Sequence, residues 1–340
     1  MTFRPALSPL VLALAMAALA TGAAQEPTPT PVRDFGVWLE GVRVEALERG
    51  VSQATINLAL SDIEPEPVVV VQDRAQPEQV QTLDDYLRRR LSTRTVASAR
   101  TMYTRHRSLL TRIDAAYGFS PAMMVAVWGL ESNFGRFTGT RPIITALATL
   151  AFDPRRSTLF RTELFHALTI LDQGHIPLEE LKGSWAGAMG QPQFMPSSYL
   201  KHAVDFDGDG RADIWKTEAD VFASIANYLK AAGWVDGERW GRAVRISRTV
   251  MDRIEREVPV RTSGCRAVRE MTESRPLAQW AQWGVVLATG NPLPTADMDA
   301  SLVRGAQQHY LVYRNYHALI DYNCSNSYAI SAGMLADKIW

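Results

Sequence analysis

Neither sign of charge is in excess in this sequence, and that absence removes whole classes of partner. The chain carries 36 basic and 36 acidic side chains in 340 residues, so it lacks the positive surplus that holds nucleic acid or an anionic membrane surface. Cysteine is nearly missing, with two in the chain, and no Cys/His cluster has the spacing of a zinc site. The six histidines are scattered, with His309 and His317 the one close pair in the C-terminal part. No Ser-His-Asp arrangement and no Gly-rich phosphate loop is present, so nucleophilic, zinc and nucleotide chemistries lose ground. No apolar run beyond the first 24 residues is long enough to span a membrane, and no internal repeat stands out. What remains is a globular chain long enough for one large domain or two modest ones, with nine tryptophans available for a sugar-binding cleft.

The N-terminus reads as an address. Arg4 precedes the apolar run Leu10 to Ala20, which ends in the small residues Thr21-Gly-Ala-Ala24. This pattern predicts a cleaved secretory signal peptide over residues 1–24, followed by a Pro/Thr linker over 25–34. No cysteine stands at the cleavage point, so a lipid anchor there is not expected. The mature protein is expected to be exported, soluble, unattached to the membrane and monomeric. In an oxidising compartment Cys265 and Cys324 are able to pair, closing a loop worth on the order of 4 kcal/mol. Two separate buried thiols are the alternative.

Helical periodicity dominates the rest. Short helices are predicted from Phe35 to Leu60, interrupted by Glu64-Pro-Glu-Pro67, with Val68 to Val71 as a short extended piece. Further helices are predicted over 93–117, 143–152, 159–171, 220–232 and 328–339. β-branched residues gather between Arg242 and about 290 and predict a small β element. The fold class is therefore mainly α, of the α+β type.

One helix stands apart. Ser120 is placed to cap it and Pro121 occupies its first turn; Met123, Met124, Val125, Val127, Trp128 and Leu130 are apolar all round, which predicts burial. At its far end is one acid, Glu131, ahead of the terminator Gly135. Desolvation and the negative end of the helix dipole both push such a carboxyl towards its protonated form, as a general acid requires. A capping or ion-paired glutamate is the plainer reading of the same segment.

A second motif carries its own chemistry. Asp205-Phe-Asp207-Gly-Asp209-Gly210-Arg211-Ala-Asp213 follows the first nine positions of an EF-hand loop. Asp205, Asp207 and Asp209 supply carboxylates, Gly210 the sharp turn and Arg211 its backbone carbonyl; such hard oxygen donors suit calcium. Lys216 stands where the bidentate Glu belongs, so Glu218 or Asp220 has to complete the sphere. An Asx-rich turn without an ion is the alternative.

Taken together, Val127-Trp-Gly-Leu-Glu131-Ser-Asn-Phe-Gly135, Gly183-Ser-Trp-Ala-Gly-Ala-Met-Gly-Gln-Pro-Gln-Phe-Met-Pro-Ser-Ser-Tyr199 and the acidic loop resemble the lytic murein transglycosylase B family. Asp153-Pro-Arg-Arg156, Ser224-Ile-Ala-Asn-Tyr-Leu-Lys230 and Tyr322-Asn323 follow in the same order, and the likeness runs from about Phe35 to the C-terminus.

The resemblance implies a periplasmic enzyme with a lysozyme-like core over about 95–235, an acidic loop at 205–220, a β-rich part at 242–290 and a C-terminal segment, 291–340, completing the cleft. It implies that Glu131 cleaves peptidoglycan glycan strands as acid and then base, leaving 1,6-anhydro ends. Ser184, Gln193, Tyr228, Tyr322 and Asn323 then fall on cleft positions, Arg155 and Arg156 on a pair suited to substrate carboxylates, and Tyr86 on a cleft aromatic. Asp220 becomes the late calcium ligand. Gln191-Pro192 departs from the family's usual pair before Gln193. A hydrolytic muramidase and a non-catalytic, calcium-stapled wall-binding protein are the competing readings.

Overall fold

In the computed structural model, which describes residues 34–75 and 81–339, the chain starts with α1 (Phe35–Glu48) and α2 (Gln53–Leu60). The expected leader over 1–24, and the linker as far as residue 33, lie outside the described residues. The Ser52 hydroxyl caps α2 by accepting from the Thr55 N–H, satisfying one of the donors every helix start leaves over. Residues Val68 to Val71 are not extended: they belong to α3 (Pro67–Arg74). Pro67 preorganises the first turn, and Val69 and Asp73, four apart, form the buried face. The β preference of a valine run is weak against such packing.

α4 (Leu83–Arg90) has Asp84 and Asp85 in its first turn and three arginines in its last, the charge order a helix dipole favours. The single helix predicted over 93–117 is two, α5 (Thr93–Arg105) and α6 (Arg107–Tyr117). The break falls at His106, whose ring packs edge-on to Trp128 and Phe222 at 5.6 and 5.5 Å. α7 (Pro121–Ser132) is buried from Ala122 to Leu130 and is capped by Ser120. β1 (Arg141–Pro142) leads into α8 (Ile143–Phe152), α9 (Ser157–Asp172) and β2 (Lys182–Gly183), which pairs antiparallel with β1. α10 (Pro196–His202) and α11 (Glu218–Ala231) flank the acidic loop.

The sheet comes next and reaches beyond the predicted stretch. β3 (Gly241–Arg245), β4 (Arg275–Pro276), β5 (Val286–Leu287), β6 (Asp299–Val303) and β7 (His309–Val312) form an antiparallel sheet of order β4-β6-β7-β3-β5. Two of its three inner strands therefore lie past residue 290. Within 242–290, Val250 lies on a helix, α12 (Arg248–Glu257). Val250, Ile254 and Val258 recur every four residues, which is a helix-face spacing, and all three join the apolar layer beneath the sheet. α13 (Arg266–Arg269), α14 (Leu277–Gln282), α15 (Arg314–Tyr322) and α16 (Asn326–Ile339) complete the chain.

Two apolar cores meet in the helical part. One gathers α5, α6, α7, α11 and α16; the other gathers α1, α2, α8 and α9. Tyr228 and Tyr322 pack against both, so the seam between the cores runs through two tyrosines. Cys265 and Cys324 form a disulfide with a Cα–Cα separation of 6.3 Å, fastening the start of α13 to the turn after α15. Among the described residues no single helix is long and apolar enough to cross a membrane.

Candidate active site

α7 ends in this seam, and Glu131 sits in its last turn. Burial pushes the Glu131 carboxyl up to about 7, partly offset by the Tyr328 phenol and the positive charge of Arg90. At neutral pH the group is therefore divided between acid and base, the condition for moving a proton in either direction. The Arg90 Nη2 donates to the Leu130 carbonyl at 2.6 Å, which holds that guanidinium at the C-terminal end of the helix. The Tyr328 hydroxyl is buried and makes no formed hydrogen bond, yet it faces the acid closely enough for each to shift the other's titration.

The opposite wall is aromatic. Tyr322 and Tyr328 lie parallel with centroids 6.4 Å apart, and Tyr228 meets Tyr322 edge-on at 4.7 Å. The Tyr322 hydroxyl donates to the Pro192 carbonyl at 2.6 Å and that of Tyr228 to the Asp321 carbonyl at 2.9 Å. Burial raises Tyr322 and Tyr328 well above the ordinary phenol range, and the Glu131 charge adds to it, so both remain neutral donors. Tyr86 on α4 stands 5.9 Å below the Arg90 guanidinium.

The glycine-rich loop after β2 forms the floor. Ser184 Oγ accepts the N–H groups of Ala186 at 3.3 Å and Ala188 at 3.0 Å, leaving its own proton to donate. Gly187 has φ +92°, and a Cβ there would fall 2.4 Å from Leu147 Cδ2, so the turn admits no side chain. The Gln193 Nε2 donates to the carbonyls of Gly190 at 2.8 Å and Thr138 at 3.1 Å. Asn133, Phe134 and Gln193 are the non-glycine residues with positive φ among those described. All three flank this site, where strained backbone tends to collect. Asn323 is exposed at the rim.

Arg155 and Arg156 stand differently from the other predicted residues. Both pair with Asp73, a buried acid on α3, and their described partners lie there rather than on the Glu131 wall. Three residues of the site were not predicted: Arg90, Tyr328 and Gln191. Arg90 stands in a run whose neighbours Arg88 and Arg89 are exposed, and only its bond to Leu130 sets it apart. Tyr328 reaches Glu131 because the chain turns between α15 and α16; its one local signal is its spacing from Tyr322.

The acidic loop lies on the far side of the floor. The carboxylates of Asp205, Asp207 and Asp209 each offer an oxygen within 4.8 Å of the others and are exposed. Backbone N–H groups, that of Gly210 foremost, hold Asp205 below the usual carboxylate range, so it stays charged. Asp220 is fully buried behind them and accepts the N–H groups of Phe206 and Asp213, both at 2.8 Å. Lys216 turns outward to Glu180. Three clustered carboxylates fit a hard divalent cation.

Comparison with known proteins agrees with this geometry. The transglycosylase SLT domain model matches residues 34–337. The membrane-bound lytic murein transglycosylase B of Escherichia coli is 45% identical over 139 residues, which are 40% of this chain and 38% of that protein. The chain thus matches well under half the length of that relative. SltB3 of Pseudomonas aeruginosa, solved in complex with NAG-anhNAM-pentapeptide, superposes with a TM-score of 0.82 at 37% identity, over 91% of this chain and 80% of that one. The Escherichia coli lytic transglycosylase Slt35, solved in complex with calcium, gives a TM-score of 0.72 at 28% identity, over 88% and 92%. The mainly helical fold with a small antiparallel sheet is that of these lysozyme-like enzymes. By its family model and its fold, the chain belongs to the transglycosylase SLT domain family.

Proposed function

We propose that the protein is a peptidoglycan lytic transglycosylase, cleaving the β-1,4 bond between N-acetylmuramic acid and N-acetylglucosamine without water. Glu131 gives its proton to the glycosidic oxygen as the bond to C1 breaks. The resulting carboxylate then takes the proton of the muramyl 6-hydroxyl as that oxygen bonds to C1. The proton count closes, the enzyme is restored, and the product carries a 1,6-anhydro ring.

The observation that carries this reading is the company Glu131 keeps. Its titration is raised by burial and pulled partly back by one phenol and one guanidinium, and among the described residues no second carboxylate shifts it. A retaining two-carboxylate hydrolase sets its nucleophile about 5–5.5 Å from the acid, close enough for the two charges to shift one another. SltB3 binds a NAG-anhNAM-pentapeptide, and that anhydro end is what a one-carboxylate route leaves behind.

In this reading Ser184, Gln193, Tyr86, Tyr228, Tyr322 and Asn323 line the glycan strand, and Arg155 and Arg156 offer the charge that Asp73 does not neutralise to substrate carboxylates. The acidic loop holds calcium through Asp205, Asp207, Asp209, the Arg211 carbonyl and Asp220, as a staple for the floor; Asp220 joins by giving up its backbone donors. Residues 35–340 form one catalytic region, exported to the periplasm behind the 1–24 leader. Mass spectrometry of a murein digest tests the chemistry. Products lighter than hydrolytic ones by one water support it, hydrated ends favour a muramidase, and binding without cleavage leaves a wall-binding protein.

A further inference from the structure

One buried polar side chain of the floor has no part in the reaction as written. Gln191 is 7% exposed. Its Oε1 accepts the indole N–H of Trp128 at 2.7 Å, and its Nε2 donates to the Trp215 carbonyl at 2.9 Å. Its backbone N–H donates to the Ile214 carbonyl at 2.9 Å. The next carbonyl along, that of Pro192, is the acceptor for Tyr322.

The two ends of this amide belong to different parts of the site. Trp128 lies one helical turn before Glu131 on α7. Trp215 closes the acidic loop, where its N–H and that of Lys216 both go to Asp213 Oδ1 at 2.9 Å, and Asp213 is tied in turn to Asp220. The exit of α7 is shaped around the same group: Gly135 has φ +77°, and a Cβ on it would stand 2.4 Å from Gln191 Oε1. An apolar side chain of this length would fill the space but satisfy neither Trp128 nor Trp215, and a buried polar atom left without a partner is expensive.

We propose that Gln191 is a positioning residue that couples the acidic loop to the helix carrying Glu131 and to the Tyr322 wall, so that disorder in the loop is felt as lost turnover. The inference rests on Glu131 being the acid/base of the proposed reaction. A misplacement of about 1 Å at a reacting group costs on the order of a hundredfold in rate, and this amide bridges Trp128 on α7 directly to Trp215 of the acidic loop.

A double-mutant cycle tests it, with kcat and KM on purified murein and the melting temperature measured for each protein. Asp205→Ala loosens the loop by removing the acceptor for the Gly208 and Gly210 N–H groups. Gln191→Met cuts both ends of the amide. Each is expected to lower kcat about tenfold with KM little changed, and the double variant to be no slower than the slower single one. Should Gln191→Met not fold, Trp128→Phe removes the indole N–H from Gln191 while keeping an aromatic ring against His106, Phe134 and Phe222, and is expected to show the same kcat loss and the same non-additivity. Wild-type kcat in Gln191→Met, or losses that multiply to about a hundredfold in the double variant, would overturn the coupling while leaving the transglycosylase intact. A folded wild-type protein that does not cleave murein overturns the proposed function and the coupling with it.

Discussion

The Tyr328 phenol lies against the Glu131 carboxyl with its hydroxyl buried and given to no other acceptor. The relationship works in both directions. The phenol holds the Glu131 pKa below where burial alone would leave it, and the carboxylate raises that of the phenol. A neutral donor thus stays beside the acid throughout the pH range in which the acid titrates.

The pH dependence follows with a definite sign. In the proposed route the first proton transfer needs protonated Glu131, so kcat/KM is expected to fall as pH rises above about 7. Tyr328→Phe and Arg90→Met each remove an influence that lowers the Glu131 pKa, so the descending limb should move to higher pH in both. Rate profiles of the three proteins decide it; a limb moving to lower pH in either variant would contradict the assignment.

Glu131→Gln should reduce turnover by several orders of magnitude, since in the proposed route one group makes both transfers, while sedimentation with sacculi still detects binding. Stability should move the other way. The folded-state pKa of Glu131 lies above its unfolded value of 4.5, so its ionisation opposes folding progressively as pH rises from about 4.5 through 7. The glutamine variant should therefore melt higher than wild type at pH 8 and nearly with it at pH 4. Calorimetry at the two pH values checks this, and equal melting points at pH 8 would count against a desolvated acid.

Calcium is expected to raise the melting temperature, with Asp209→Ala abolishing the rise, because three exposed carboxylates held within 4.8 Å repel one another until a cation joins them. Identical melting curves in calcium and in chelator would remove the ion from the loop.

The disulfide should matter to stability and to the cleft together. Cys324 follows Tyr322 and Asn323 directly, and Asn326 just beyond it is fixed by the Tyr316 hydroxyl at 2.8 Å and the Ala267 carbonyl at 2.9 Å. Cys265→Ser is expected to cost about 2–4 kcal/mol in urea unfolding and to raise KM for murein. A variant with unchanged midpoint and KM would show that the bridge is dispensable.

The parts of the site that were legible in the sequence are those whose signals are local. The cap Ser120, Pro121, the apolar run and Glu131 lie within a dozen residues, and the acidic loop is a spacing rule. The contacts that hold the site together join distant positions. Arg90 meets Leu130 across 40 residues, Trp128 meets Gln191 across 63, and Tyr322 meets Pro192 across 130; such pairs leave no periodic trace. The same limit explains the fold errors. Val68 to Val71 have a strand's composition but take a helix because Val69 and Asp73 find partners on one face, and β6 and β7 complete the sheet from outside the β-branched stretch.

By itself, the sequence determined that a buried helix ends in a single acid and that three carboxylates share one turn, because helix capping, apolar periodicity and loop spacing act over a few residues. Only the tertiary structure decided what surrounds that acid. Exclusion of solvent raises its pKa to about 7 against the lowering pull of Tyr328 and Arg90, and desolvation belongs to the packed environment rather than to any stretch of chain.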